Sequence, residues 1–153
     1  MLEGRHYQNA YVTRDIGKAI DAFRARADVR KLIEYEGTTA VMTPSGPGTQ
    51  TNKLAFIWVG DLQYELIQPV SGSVEVYREG LPADDAPRFH HICMRIDHWD
   101  DFRARVDRQS FPVVLEGGGD SLKFLYLDAR AFLGHYLEYT WMIDERWAQL
   151  GGR

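Results

Sequence analysis

Apolar and polar positions along the chain change period in a regular order. Gln8 to Val12 alternates like a half-buried strand. Ile16, Ala19, Ile20, Phe23 and Ala27 then follow helical spacing behind Asp15, a residue suited to cap a helix. Short apolar runs at Lys31 to Tyr35 and Ala40 to Thr43 are interrupted at Gly37 and end at the turn-rich Pro44-Ser45-Gly46-Pro47-Gly48. Leu54 to Val59 and Gln63 to Gln68 predict a hairpin across Gly60-Asp61. A connector rich in Gly, Pro and Asp runs from about Val70 to Arg88, with a helical turn expected at Ser73 to Glu79. Beyond it His91 to Ile96 is again strand-like, and Trp99, Phe102 and Val106 form a helical stripe. Pro112 to Leu115, Leu122 to Leu127 and Tyr136 to Trp141 supply three more strands.

The order repeats, which predicts an α+β protein of two similar halves. The tetrapeptide Phe-Arg-Ala-Arg also recurs, at Phe23 to Arg26 and at Phe102 to Arg105, although its offset differs from that of the strand starts by about one helical turn. Two strand segments carry a carboxylate among Tyr, Leu and Ile: Gln63-Tyr64-Glu65-Leu66-Ile67 and His135-Tyr136-Leu137-Glu138-Tyr139. Each follows a matching strand start, at Tyr7 to Val12 and at His90 to Ile96. A carboxylate buried in such company carries a desolvation cost unless a cation or proton meets it. Two in repeated positions point to one shared metal site.

Composition narrows the field without naming a chemistry. A chain of 153 residues, 44% apolar, is enough for one domain or for two half-size modules sharing a core. Its 18 basic and 22 acidic residues give a net charge of -4 and are interspersed, so neither a nucleic-acid footprint nor a polybasic membrane patch is expected. The sole cysteine, Cys93, excludes an internal disulfide and fits a reducing compartment. Met1 to His6 contains no apolar run suited to a signal peptide, and no later stretch reaches membrane-span length. A soluble, cytoplasmic protein is expected.

The segments Tyr11-Val12-Thr13-Arg14-Asp15-Ile16, Tyr64-Glu65-Leu66-Ile67-Gln68-Pro69, Phe89-His90-His91-Ile92 and Gly134-His135-Tyr136-Leu137-Glu138-Tyr139 resemble the vicinal oxygen chelate superfamily, also called the glyoxalase/bleomycin-resistance/dioxygenase fold. The last three are most similar to its methylmalonyl-CoA epimerase branch, and the likeness extends from Tyr7 to Trp141. The resemblance implies two βαβββ modules forming a curled mixed sheet around a metal cleft. Within one domain spanning 1–153, module one covers about 5–70, a connector about 71–88, module two about 89–142 and a tail 143–153. It also implies one divalent metal ion (Co, Ni, Mn, Zn or Fe) held by Gln8 or His6 with Glu65, His91 and Glu138. Counting back from Asp15 puts Gln8 where many relatives have His, while His6 sits two residues earlier and so on the same face of an ideal strand. An amide oxygen is a legitimate donor to a hard divalent ion.

The activity so implied is that of a metal-dependent isomerase or lyase, removing a proton beside a metal-bound carbonyl, with Glu138 as base and Glu65 as its pseudo-symmetric partner. The substrate is a small carbonyl or acyl compound. A coenzyme A thioester needs cations for its phosphates, and Arg5, Arg14, Lys53, Arg78, Arg88 and Arg95 show no phosphate-loop grouping. A homodimer fits the same resemblance. The alternative is a metal-free binding protein of the bleomycin-resistance type, which sequesters a small molecule between aromatic walls. An extradiol dioxygenase ranks behind both, since it wants two histidines and a carboxylate.

Other residues read more plainly. His90 should face away from His91, Cys93 is a small core residue, and Gly117-Gly118-Gly119-Asp120 is a turn rather than a phosphate loop. Ser71-Gly72-Ser73 lacks a nucleophile elbow. Tyr7, Tyr64, Tyr136, Tyr139 and Trp141 are candidates either for pocket walls or for core, and Trp147 for a cap on the fold or a partner contact.

Overall fold

A computed structural model describes residues 2–153. In chain order the elements are β1 (Arg5–Val12), α1 (Ile16–Arg24), β2 (Lys31–Thr43), β3 (Gly46–Val59), β4 (Leu62–Gly72), α2 (Glu75–Arg78) and β5 (Arg88–Arg95). There follow α3 (Trp99–Val106), β6 (Val113–Gly118), β7 (Leu122–Leu127), α4 (Arg130–Leu133), β8 (Tyr136–Met142) and α5 (Asp144–Gln149). The strands close into a barrel in the order β1-β4-β3-β2-β6-β7-β8-β5.

Each half has the same plan. β1 pairs β4 in parallel and β5 pairs β8 in parallel, and all the other ladders are antiparallel. Parallel neighbours need a crossover that includes more than a tight turn, and α1 and α3 lie within these crossovers. The halves join along the whole of β1 and β5, but β2 and β6 meet only at Val41↔Gly117 and Met42↔Glu116. The rest of β2 on that side has no strand partner, so the barrel wall is open there.

The helices cover the outside. Asp15 caps α1 by accepting from the Lys18 amide at 3.1 Å, and buried Ala19 and Ile20 pack on Ala55, Ile57 and Leu66. On the opposite half, Trp99, Phe102 and Val106 of α3 pack on Leu125, Leu127, Leu137 and Tyr139. Phe102 is fully buried with its ring 4.6 Å from that of Tyr139, which is worth roughly 1.5–3 kcal/mol of apolar burial. Strand alternation then sends Glu138, between Leu137 and Tyr139, into the barrel.

Two register shifts interrupt the β1/β5 ladder. Pairing passes from His6↔Met94 to Gln8↔Cys93 without matching Tyr7, and from Ala10↔His91 to Tyr11↔Phe89 without matching His90. Each shift is a bulge, and next to each two consecutive residues are buried, Tyr7 with Gln8 and His90 with His91.

Several elements differ from the sequence expectation. β2 runs unbroken through Gly37, and β3 begins at Gly46, so the turn shrinks to Pro44-Ser45 between the paired residues Thr43 and Gly46. Thr49 to Lys53 looks like loop because Gln50 and Asn52, its buried positions, are polar. The second half of the Gly-rich run does turn, at Gly119-Asp120, but Gly117 and Gly118 belong to β6. Gly118 has φ 108, and a Cβ there would strike the Leu122 carbonyl, which explains glycine at this point. Trp147 of α5 stacks edge-on against Tyr7 (5.0 Å) and Trp58 (5.8 Å), while the Trp58 indole donates to the Leu150 carbonyl, so the tail caps one end of the barrel. Among the described residues no helix is long and apolar enough to cross a membrane.

Candidate metal centre

Glu65 of β4, His91 of β5 and Glu138 of β8 converge inside the barrel, with one donor atom from each lying within 4.8 Å of the others. His91 Nε2 is 3.0 Å from Glu138 Oε2 and 3.6 Å from Glu65 Oε2. Ala10 is the in-register neighbour of both Glu65 and His91, and its methyl group leaves them room to approach. Sequence reasoning gave Ala10 no part in the site, since a small residue on a strand carries no chemical signal.

The histidine orientation follows from a short relay. His90 Nε2 lies 2.8 Å from the Val76 carbonyl, which can only accept, so that nitrogen carries the hydrogen. Burial, helped by neighbouring His91, pushes the His90 imidazolium down to about 3, so the ring is neutral and its Nδ1 is a lone pair. His91 Nδ1, 2.8 Å away, must then donate to it. The nitrogen left facing the two carboxylates is Nε2. His90 therefore does not face away from His91 as alternation suggested; the bulge turns it toward its neighbour.

Gln8 of β1 lines the same cavity as Glu65 and Glu138. Its Nε2 donates to Gln63 Oε1 at 2.7 Å, while its own Oε1 is buried without a hydrogen-bond partner. Glu65 Oε2 is likewise buried and without one. His6 is exposed, and its Nε2 contacts the Gln8 carbonyl at 3.1 Å and Asn9 Oδ1 at 2.9 Å. The bulge at Tyr7 breaks the two-residue alternation that put His6 and Gln8 on one face. Burial, reinforced by the nearby Glu138 carboxylate, raises Glu65 well above the usual carboxylate range. Two buried carboxylates, an imidazole nitrogen and an orphaned amide oxygen are a donor set that fits a divalent ion.

The centre opens on a cavity of about 510 Å³. Its walls include Tyr7, Phe56, Phe124 and Tyr126, with Glu34, Tyr35, Gly118 and Gly119 at the open side of the barrel and Arg146, Gln149 and Leu150 from the tail. Of the aromatic candidates only Tyr7 lines it. Tyr64 packs outside with α1, Tyr136 and Tyr139 belong to apolar clusters, and Trp141 packs against the α3 cluster. None of Arg5, Arg14, Lys53, Arg78, Arg88 and Arg95 lines it; Arg5 pairs with Asp97 and Arg95 with Asp144. Cys93 is fully buried, with its Sγ 3.6 Å from both Tyr7 Oη and Thr140 Oγ1, and burial raises its thiol.

Comparisons with known proteins agree with this architecture. No curated protein sequence matches the chain. A methylmalonyl-CoA epimerase from Mycobacterium tuberculosis superposes with a TM-score of 0.67 over 97% of both chains at 16% identity. A hypothetical protein from Bacillus halodurans gives 0.65 at 17% identity, covering 92% of this chain and 95% of that one. A Streptomyces coelicolor methylmalonyl-CoA epimerase variant, solved with 2-nitronate-propionyl-CoA, gives 0.64 at 14% identity over 92% and 96%. These likenesses concern the fold. Residues 7–126 match the family described as the Glyoxalase/Bleomycin resistance protein/Dioxygenase superfamily, and the chain belongs to it.

Proposed function

We propose that the chain is a metal-dependent isomerase or lyase of the glyoxalase and epimerase type, removing a proton next to the carbonyl of a small substrate. The observation that supports this best is the convergence of His91 Nε2 with Glu65 and Glu138, on a cavity that Gln8, with its unpartnered Oε1, also lines. Gln8, Glu65, His91 and Glu138 would hold the ion, and a bound Co, Ni, Mn, Zn or Fe supplies Lewis acidity toward a substrate oxygen. Glu138 is the proposed base, taking the proton on a carboxylate oxygen. Glu65, whose carboxyl is raised by burial and by Glu138, shares the task of holding that proton within the pair. The His90 relay orients His91, and the tail caps one end of the barrel.

The substrate class is a carbonyl or acyl compound. The coenzyme A ligand belongs to the structural neighbour; a thioester of that kind would have to place its phosphates outside the cavity. A dioxygenase is disfavoured because the other nearby histidine, His90, is committed to the Val76 carbonyl. The test is to purify the protein without chelator, measure its metal content and follow α-proton exchange with solvent deuterium across a carbonyl panel by NMR. Exchange that needs the metal supports the proposal. Tight binding without exchange or conversion favours sequestration.

A further inference from the structure

The cavity carries more unpartnered hydrogen-bonding groups than the metal centre uses. Gln50 and Asn52 sit two residues apart on β3, each about 6% exposed, and both line the cavity. Gln50 Oε1 and Asn52 Oδ1 are buried with no hydrogen-bond partner. The orientation of Gln50 is set by Tyr77, whose hydroxyl interacts with the Gln50 side chain and donates to Tyr126 at 3.3 Å. Farther along, the Gln63 amide nitrogen is buried and also unpartnered. Leaving such groups unmet costs about 1–3 kcal/mol each, so the Gln50 and Asn52 oxygens, two residues apart on β3, call for a ligand or ordered water.

Charge selects among ligands. Arg146 is the only basic side chain among the described residues lining the cavity, against Glu34, Glu65 and Glu138. Amide oxygens accept and do not donate, so the Gln50 and Asn52 oxygens repel carboxylate and phosphate oxygens and attract hydroxyl or N–H groups. A cavity of this volume takes a ligand larger than a three-carbon compound.

We infer that the Gln50–Asn52 wall is a subsite for the hydroxyl groups of a neutral polyhydroxy carbonyl compound, a ketose-like molecule of roughly four to six carbons, in preference to an acyl carboxylate. This specifies the substrate class of the proposed enzyme and rests on that reading for the carbonyl. The hydroxyls donate to Gln50 Oε1 and Asn52 Oδ1. The carbonyl end faces Glu65 and Glu138.

The test compares D-xylulose with methylmalonate by saturation-transfer NMR and calorimetry, on Mn²⁺-loaded and on chelator-treated protein, with Gln50→Leu and Asn52→Leu variants. D-Xylulose should bind more tightly than methylmalonate to the wild type. Each variant should weaken it at least tenfold while keeping Mn²⁺ affinity within twofold and a melting temperature equal to or above wild type, since an unmet acceptor is replaced by an apolar group. Tighter binding of methylmalonate, absence of D-xylulose binding, or leucine variants that hold the sugar like wild type would overturn the subsite. Failure of Mn²⁺ to bind would instead remove the metal enzyme, and the chelator-treated measurement would still decide for or against the sugar wall.

Discussion

His90 Nδ1 lies 2.8 Å from His91 Nδ1, and this contact fixes which nitrogen His91 turns toward Glu138. An imidazole that donates from Nδ1 presents Nε2 to a metal, and a partner on the other nitrogen commonly sets both tautomer and ring orientation. His90 is in turn anchored by the Val76 carbonyl, just ahead of buried Tyr77 in α2. The connector thus reaches the centre through two rings.

His90 should leave a signature in the pH dependence of stability. Its folded-state value is lowered from 6.5 to about 3, mainly by burial, so the unfolded chain takes up a proton before the folded one does. The contribution is fully present above pH 6.5 and is lost as pH falls toward 3, at up to about 1.4 kcal/mol per pH unit. Melting of chelator-treated His90→Leu should therefore depend less steeply on pH through that window than wild type. Parallel curves would show that His90 is not the titrating group.

One divalent ion per chain is expected. His91→Ala or Glu138→Ala should cut affinity by more than the roughly 10–100-fold typical of losing an outer-shell partner. His90→Leu should fall within that range. Calorimetric titration measures all three, and unchanged affinity in both alanine variants would take these residues out of the site.

Glu65 should trade stability against binding. Because its folded-state value is raised, the metal-free protein loses stability as pH rises from the ordinary carboxylate value of 4.5 through the raised one. Glu65→Gln should melt higher than wild type in chelator at neutral pH, by roughly 2–4 °C for each kcal/mol of desolvation relieved. The same variant should bind metal more weakly. A lower melting temperature in chelator would mean that the carboxylate is already compensated.

Gln8→Ala should weaken metal binding, whereas His6→Ala should leave it unchanged, because Gln8 lines the cavity that holds the carboxylates and its Oε1 is unpartnered, while the His6 ring is exposed and bonded to Asn9. The reverse order in a calorimetric comparison would reassign the donor to His6.

Glu138→Gln keeps the side-chain shape and changes its proton affinity. Exchange of a substrate α-proton with solvent deuterium should fall by at least about a hundredfold, the lower end for a positioned general base, while ligand binding falls less. Equal losses in both would point to a structural role.

Much of this was legible in the chain. The repeated order of strand and helix and the carboxylates at Glu65 and Glu138 come from period-two patterning around apolar neighbours such as Leu66 and Leu137. Three things were hidden, each for its own reason. The Gln50 and Asn52 stretch resembles a loop because a strand lining a polar cavity shows polar residues on its inner face. The sides taken by His6 and His90 depend on unmatched residues, which no local sequence signal announces. Tyr77, Phe124 and Tyr126 line the cavity while Tyr64 and Tyr139 do not, because burial in a barrel wall has two sides and aromatic character fits both.

The bulges make the site sensitive to chain length as well as to residue identity. Inserting one residue into β5 between Cys93 and Met94 would give the unmatched Tyr7 a partner and restore strict alternation along β1. His6 would then share a face with Gln8, and a histidine would enter the interior two positions from the amide. A single insertion, with no substitution at all, would set a nitrogen donor beside an oxygen donor on the inner face of the barrel.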